Sequence, residues 1–213
     1  MSVGTLFISR HAESEWNALG KWTGTTDVHL TENGFSQAGQ LGVALKGIKL
    51  DEAFCSQQIR TKETLEGILD GSENFAIPIT RSVDLNERDY GDYTGMNKWE
   101  VRDKVGEEEF NSIRRDWDHP VPNGETLKVV YERAIPYFLN VILPKLLAGE
   151  NVIIVAHGNS IRALIKYIED ISDEGVASVE MPFGTIITYV LDDAGKKQKR
   201  EDITIEVTKP SNA

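Results

Sequence analysis

Asn151-Val152-Ile153-Ile154-Val155-Ala156 runs apolar and then stops at His157-Gly158-Asn159-Ser160. An apolar run this short, β-branched at its centre and without alternation, reads as a strand buried on both faces, the habit of a parallel sheet covered by helices. A second strand of this kind opens the chain, where Thr5-Leu6-Phe7-Ile8-Ser9 ends abruptly at Arg10-His11. Open α/β sheets bind ligands at the carboxyl ends of their strands, so these two endings mark a candidate site.

Working outward, Ala12–Leu30 carries Gly20, Gly24 and several threonines and reads as a loop. Thr31 is placed to cap a helix with Phe35, Ala38, Leu41 and Leu45 on one face and Gly47 as its stop. Glu52–Cys55 is a short strand, and Ser56–Thr64 leads into a helix whose first turn offers amides of the kind that hold phosphate. Ile77–Val83 is a third strand by β-branched content. Leu85–Gly95 is irregular and charged, the sort of stretch that carries function, and helices follow over Lys98–Val105 and Glu107–Trp117. After the turn-rich His119–Gly124, a long helix runs from about Glu125 to Leu147, with Pro136 and Pro144 expected to bend or interrupt it. A helix from His157 to Asp170, a last core strand Thr185–Leu191 and a turn at Asp192–Gly195 complete the pattern. The alternation of strands and helices predicts a three-layer helix/sheet/helix α/β fold, with a mostly parallel central sheet in a single domain over residues 1–213. The charged segment 196–213 is expected to be a flexible tail.

With 213 residues and 40% apolar composition, the chain is of a size for one core. The formal charge of −11 excludes nucleic acid and anionic lipid as partners, because both require a basic footprint. An anionic ligand must then meet a local basic cluster. The start of the chain has neither the basic flank nor the long apolar region of a leader or a membrane span. The single cysteine, Cys55, rules out an intramolecular disulfide and offers no zinc-ligand cluster; a buried thiol in a reducing cytoplasm is expected.

Of the four histidines, His11 and His157 follow strands, whereas His29 and His119 do not and are expected to be structural or solvated. A neutral imidazole can attack phosphorus and carry the phosphoryl group, provided that a hydrogen bond to its other nitrogen selects the tautomer. That role falls to His11. The charge of a phosphoryl group in flight is met by cationic and N–H donors, for which Arg10, Arg60, His157, Gly158 and Asn159 are candidates.

The ordered set Arg10-His11, Glu13-Ser14-Glu15-Trp16-Asn17, Thr23-Gly24, Ser56, Arg60, Leu85-Asn86-Glu87-Arg88, Tyr90-Gly91, Asn97-Lys98, Arg114-Arg115, Gly124-Glu125-Thr126-Leu127 and His157 through Leu164 covers residues 5 to about 190. It resembles the histidine phosphatase superfamily, and within it the cofactor-dependent phosphoglycerate mutase branch. The resemblance implies that His11 is phosphorylated and that Glu87 exchanges the proton of the substrate hydroxyl. It further implies that Arg88, Tyr90, Lys98, Arg114 and Arg115 bind the substrate carboxylate and second phosphate, and that Ser14, Asn17, Thr23 and Gly24 contact the phosphates or the glycerate. It implies 2,3-bisphosphoglycerate as phosphoryl primer without a metal, small phosphoglycerates as partners and a cytoplasmic setting, and leaves a homo-oligomer open. Adjacent helical arginines project about 100° apart, so Arg114 and Arg115 reach one ligand only at a helix edge facing a cleft. Three departures stand out: Ala12 in place of the usual glycine, which would set a Cβ beside the phosphate; Asp89 in place of histidine, which would add negative charge near the anion site; and a short stretch between Arg115 and Gly124. A phosphatase for a small phosphorylated metabolite and a non-catalytic phospho-ligand binder are the competing readings, and access of water to the phosphohistidine separates the first from a mutase.

Overall fold

A computed structural model describes residues 3–206. Six strands form one sheet in the order β3-β2-β4-β1-β5-β6. The strands β1 (Thr5–Arg10), β2 (Glu52–Ser56), β3 (Ile79–Ser82) and β4 (Val152–Ala156) run parallel, whereas β5 (Thr185–Leu191) is antiparallel to β1. The two central strands read from the sequence are neighbours, registered Leu6 to Val152 through Arg10 to Ala156. Both endings therefore reach the same rim.

Alternate residues of β4 serve opposite layers. Val152, Ile154 and Ala156 pack with Phe138, Leu146, Ile161 and Leu164, while Ile153 and Val155 pack with Leu41, Leu65 and Ile68. One layer is formed by α2 (Glu32–Ala44) and α3 (Ile59–Gly71). The other comprises α6 (Leu127–Tyr137), α7 (Leu143–Leu147) and α8 (Gly158–Ile168). Burial on both faces explains why these strands read as continuous apolar runs. Between the layers' ends and the rim sit the four-residue α1 (Glu15–Ala18), α4 (Lys98–Val105) and α5 (Glu107–Arg115). The helices α4 and α5 share a separate small cluster of Trp22, Val101, Phe110, Ile113 and Val121.

Thr31 caps α2 as expected, its side chain accepting from the Gly34 amide, but Phe35 is exposed and Gln37 takes the inward place. The long helix is broken where proline predicted: α6 passes through Pro136 into a π-helical stretch, Phe138–Ile142, before α7 opens with Pro144 in its first turn. A proline lacks the amide of an i→i−4 bond, and a wider turn absorbs the displaced carbonyl. The expected flexible tail is corrected in part. Lys197–Thr204 is a sixth strand, β6, antiparallel to β5 and joined by the Asp192–Gly195 turn. Its side chains are charged and mostly exposed, so it pairs through its backbone and gives no hydrophobic signal; charge of this kind also discourages pairing at an edge with other chains. The rest of that expectation, from residue 207 onward, lies outside the described residues.

Candidate active site

His11 continues the β1–β4 ladder, its amide donating to the Ala156 carbonyl at 2.9 Å. Its Nδ1 lies 2.7 Å from the Ala12 carbonyl, and a carbonyl can only accept. Nδ1 therefore carries the proton, and Nε2 keeps its lone pair. Burial, aided by Arg60 and Arg10, holds the His11 pKa well below the usual value, which keeps the ring neutral. His157 lies behind it with ring centroids 5.0 Å apart. Its Nε2 is 2.8 Å from Ser56 Oγ, and burial followed by the charge of Arg60 lowers its pKa strongly as well. His29 and His119 lie away from this site, bonded to Glu63 and Glu109.

Two cavities meet in front of His11. The inner one, about 50 Å³, is lined by His11, Asn17, Thr23, Gly24 and Arg60. The outer one, about 350 Å³, is lined by Arg114, Arg115, Gly158, Asn159, Arg162 and the segment Glu180–Phe183. Arg10, Trp22, Glu87, Tyr90 and Lys98 face both. Thus the arginines at positions 10, 60, 114 and 115 share one cleft. The pair at the end of α5 both reach it because the helix stops at Arg115, at the cleft's edge.

Arg10 and Arg60 are held by neutral partners. Arg60, 1% exposed, donates to the carbonyls of Thr26 and Gly24 at 2.9 and 3.0 Å, and Arg10 stacks on Phe183 with Cζ 3.9 Å from the ring centroid. The Nε atoms of both arginines are buried without a hydrogen-bond partner. Among the described residues, Arg10, Arg60, Lys98 and Arg114 form no ion pair with a carboxylate. Desolvation and the neighbouring arginines push Lys98 down to about 8, and burial brings Arg60 down to about 10. Cations that are buried, crowded and outnumber the one carboxylate facing both cavities, Glu87, suit an anionic ligand.

Glu87, nearly buried, faces this cleft with Oε1 accepting from the amides of Arg88 and Asn159 and from Asn159 Nδ2, at 2.9, 3.2 and 3.1 Å. Asn159 Nδ2 also donates to the Tyr90 hydroxyl at 2.9 Å. Lys98 begins α4, whose first amides are capped by Asn97. Gly24 and Gly91 have positive φ, and a Cβ on Gly91 would stand 2.0 Å from the Pro122 carbonyl, so the Tyr90-Gly91 turn tolerates no side chain.

Several expected contacts are corrected. Ser14 is fully buried as the cap of α1, its hydroxyl bonded to Asn17 Oδ1, and lines neither cavity. Arg88 also lies behind the wall, donating to the Ile113 carbonyl at 2.7 Å and stacked on Tyr90. The first amides of α3 are not open to phosphate: Ile59 and Gln58 donate to Asp27 Oδ1 and Ser56 Oγ, so the α3 contribution is the Arg60 side chain. Ala12 has no positive φ, and its methyl packs with Leu30 and Ala38. The Asp89 carboxylate is turned into its own loop, where it accepts the Gly91 amide at 2.8 Å.

The sequence reading missed the struts. Gln58 accepts the Glu87 amide and donates to the Gly24 carbonyl at 2.8 and 2.9 Å, tying the two site loops together. Arg133 donates to the Asp84, Asn86 and Glu87 carbonyls and pairs with Glu125. Arg162 donates to the Arg114 and Val176 carbonyls and Asn159 Oδ1. Trp22 and Phe183 were missed as cavity walls; only Trp22, beside Thr23-Gly24, carried a nearby motif. Among the described residues, no group of three His, Cys, Asp or Glu side chains is placed to hold a metal, and no helix is long and apolar enough to cross a membrane.

Residues 6–203 match the histidine phosphatase superfamily (branch 1). A 2,3-bisphosphoglycerate-dependent phosphoglycerate mutase of Bradyrhizobium sp. is 44% identical, covering 90% of this chain and 93% of its own length. A second protein of that name, from Latilactobacillus sakei, is 42% identical, with 90% and 95% covered. Among solved structures, YhfR of Bacillus stearothermophilus superposes with a TM-score of 0.80 at 27% identity, covering 92% of this chain and 94% of that one. A mycobacterial glucosyl-3-phosphoglycerate phosphatase shares the fold, with a TM-score of 0.81 at 18% identity, covering 96% and 100%. The chain therefore belongs to the histidine phosphatase superfamily, and within it to the family of the 2,3-bisphosphoglycerate-dependent phosphoglycerate mutases.

Proposed function

We propose that this protein interconverts 3-phosphoglycerate and 2-phosphoglycerate through a phosphohistidine at His11, primed by 2,3-bisphosphoglycerate. The observation that carries the reading is the fixed Nε2 lone pair of a neutral His11, set among cations without ion pairs and facing the same cleft as Glu87. Nε2 attacks the phosphorus of the primer while the departing oxygen takes a proton from Glu87. In the return step Glu87 accepts the proton of a phosphoglycerate hydroxyl, whose oxygen attacks phosphorus; the P–Nε2 bond breaks, and its electron pair returns to the imidazole. Repetition at the other hydroxyl moves the phosphoryl group along the glycerate and restores the phosphoenzyme.

In this reading Arg10, Arg60, His157 and Asn17 surround the phosphoryl group in flight, with Thr23 and Gly24 closing the inner cavity. Lys98, Arg114 and Arg115 hold the carboxylate and second phosphate, with Tyr90, Gly158 and Asn159 shaping that side. Ser14 and Arg88 act through Asn17 and Tyr90, the groups they touch. Residues 1–213 work as one domain on small phosphoglycerates in the cytoplasm, with no metal. The test is conversion of 3-phosphoglycerate by enzyme shown to be unphosphorylated. Turnover should require 2,3-bisphosphoglycerate and survive a chelator; full activity without primer, or abolition by the chelator, would contradict the reading.

A further inference from the structure

The segment Val179–Phe183 borders the outer cavity and is fastened there by the cleft's own cations. Arg115 donates to the Val179 carbonyl at 3.4 Å and pairs with Glu180 at 2.8 Å, and Arg10 donates to the Met181 carbonyl at 3.4 Å. Phe183 completes the attachment by lying flat beneath the Arg10 guanidinium. The Phe183 and His11 rings stand nearly perpendicular, with centroids 6.2 Å apart at 72°.

Phe183 is half-buried and belongs to neither of the cores that flank the sheet. Its neighbours are a nucleophile and a phosphate-sized cationic pocket, an odd setting for a phenyl ring. Such a ring neither moves protons nor binds phosphate. What it does is set an apolar surface next to the His11 ring, on the wall of the outer cavity through which water would reach it. We propose that Phe183 is the water shield of the phosphohistidine, the specificity-determining residue that directs the phosphoryl group to an organic hydroxyl rather than to water. The proposal rests on the reading of His11 as phosphoryl carrier. In the reaction it suppresses, a water oxygen attacks phosphorus, the P–Nε2 bond breaks with its pair returning to nitrogen, the water proton passes to Glu87 or solvent, and inorganic phosphate leaves.

The experiment uses the full chain labelled at His11 from radioactive 2,3-bisphosphoglycerate and freed of excess label. Decay to inorganic phosphate is followed without acceptor, and transfer is followed after a chase with 3-phosphoglycerate. Phe183→Ala should decay on the order of tenfold faster, with transfer slowed by less than decay is accelerated. Phe183→Leu keeps apolar bulk but loses the flat face under Arg10, and should decay within about twofold of the parent. Phe183→Val should fall between them, and the order parent, Leu, Val can be read even if the alanine variant does not fold. Decay at the parent rate in every variant overturns the proposal, as does a leucine variant as leaky as alanine, which would place the effect in Arg10. A parent protein that labels but never passes label to phosphoglycerate sinks the mutase reading and leaves the Phe183 comparison readable. One that takes up no label sinks both.

Discussion

A single carbonyl decides the reactivity of His11: by accepting from Nδ1 it leaves Nε2 as the only unprotonated ring nitrogen. The partner in proton exchange is tested by Glu87→Gln, which keeps the shape and an acceptor oxygen for the Arg88 and Asn159 amides. Mutase turnover should fall by roughly 10²–10⁴-fold, the range of general acid–base groups, with substrate affinity little changed. His11→Ala should instead take up no label and lose all activity. Normal turnover in Glu87→Gln would move the proton role to another residue while sparing the nucleophile. Lys98 offers a pH test. Its pKa of about 8 means that the ammonium is intact below that value and lost above it, so capture of a trianion weakens as pH rises. The kcat/KM profile of the free enzyme should descend through about pH 8, and Lys98→Met should lower kcat/KM and remove that limb. A profile flat from about pH 7 to 9.5 in the parent would contradict the assignment. That His11, Glu87 and Lys98 share one cleft was legible because such residues are rare at strand ends or sit in motif order. Arg88 was misread for the same reason, since a motif says that a residue matters and not which way its side chain turns.

Between elements, the Arg114-Arg115 side of the cleft hangs on Arg162, which reaches from α8 to carbonyls at the end of α5 and to Val176. Burial lowers its pKa to about 10, so it remains a cation at neutral pH. Arg162→Met strands several buried acceptors, each costing about 1–3 kcal/mol if left unpaired. Urea unfolding should show a loss of roughly 2–4 kcal/mol, accompanied by a rise in KM as the Arg114-Arg115 pair loosens. Unchanged stability and KM would show that α5 holds its place without the strut. Such a role was not legible in the sequence, because its acceptors are main-chain carbonyls brought near only by the fold. The same logic separates the elements that were read from those that were not. The apolar runs of β1 and β4 and the proline break after α6 are local signals, whereas β6 exists because β5 offers it a hydrogen-bonding edge.

Across the whole molecule, a formal charge of −11 surrounds a cleft lined by Arg10, Arg60, Lys98, Arg114 and Arg115. Anions are repelled by the bulk and focused by the cleft, a contrast that acts over the screening length. Since that length shrinks from about 30 Å at 0.01 M salt to about 3 Å at 1 M, kcat/KM should fall steadily across the series while kcat changes less. A salt-independent kcat/KM would mean that capture is governed by contact alone. The need for a basic cluster followed from composition, but its location required the topology, which carries residues as far apart in sequence as Arg10 and Arg115 to one rim. That topology also orders events in time. The strand β1, which ends just before His11, has β4 and β5 as its neighbours, both from the last third of the chain. While the polypeptide is being made, the first apolar segment to leave the ribosome must wait, unpaired and prone to wrong association, until β4 has followed. His11 is thus among the first residues synthesised, yet its place on the ladder with Ala156 exists only once β4 has been made.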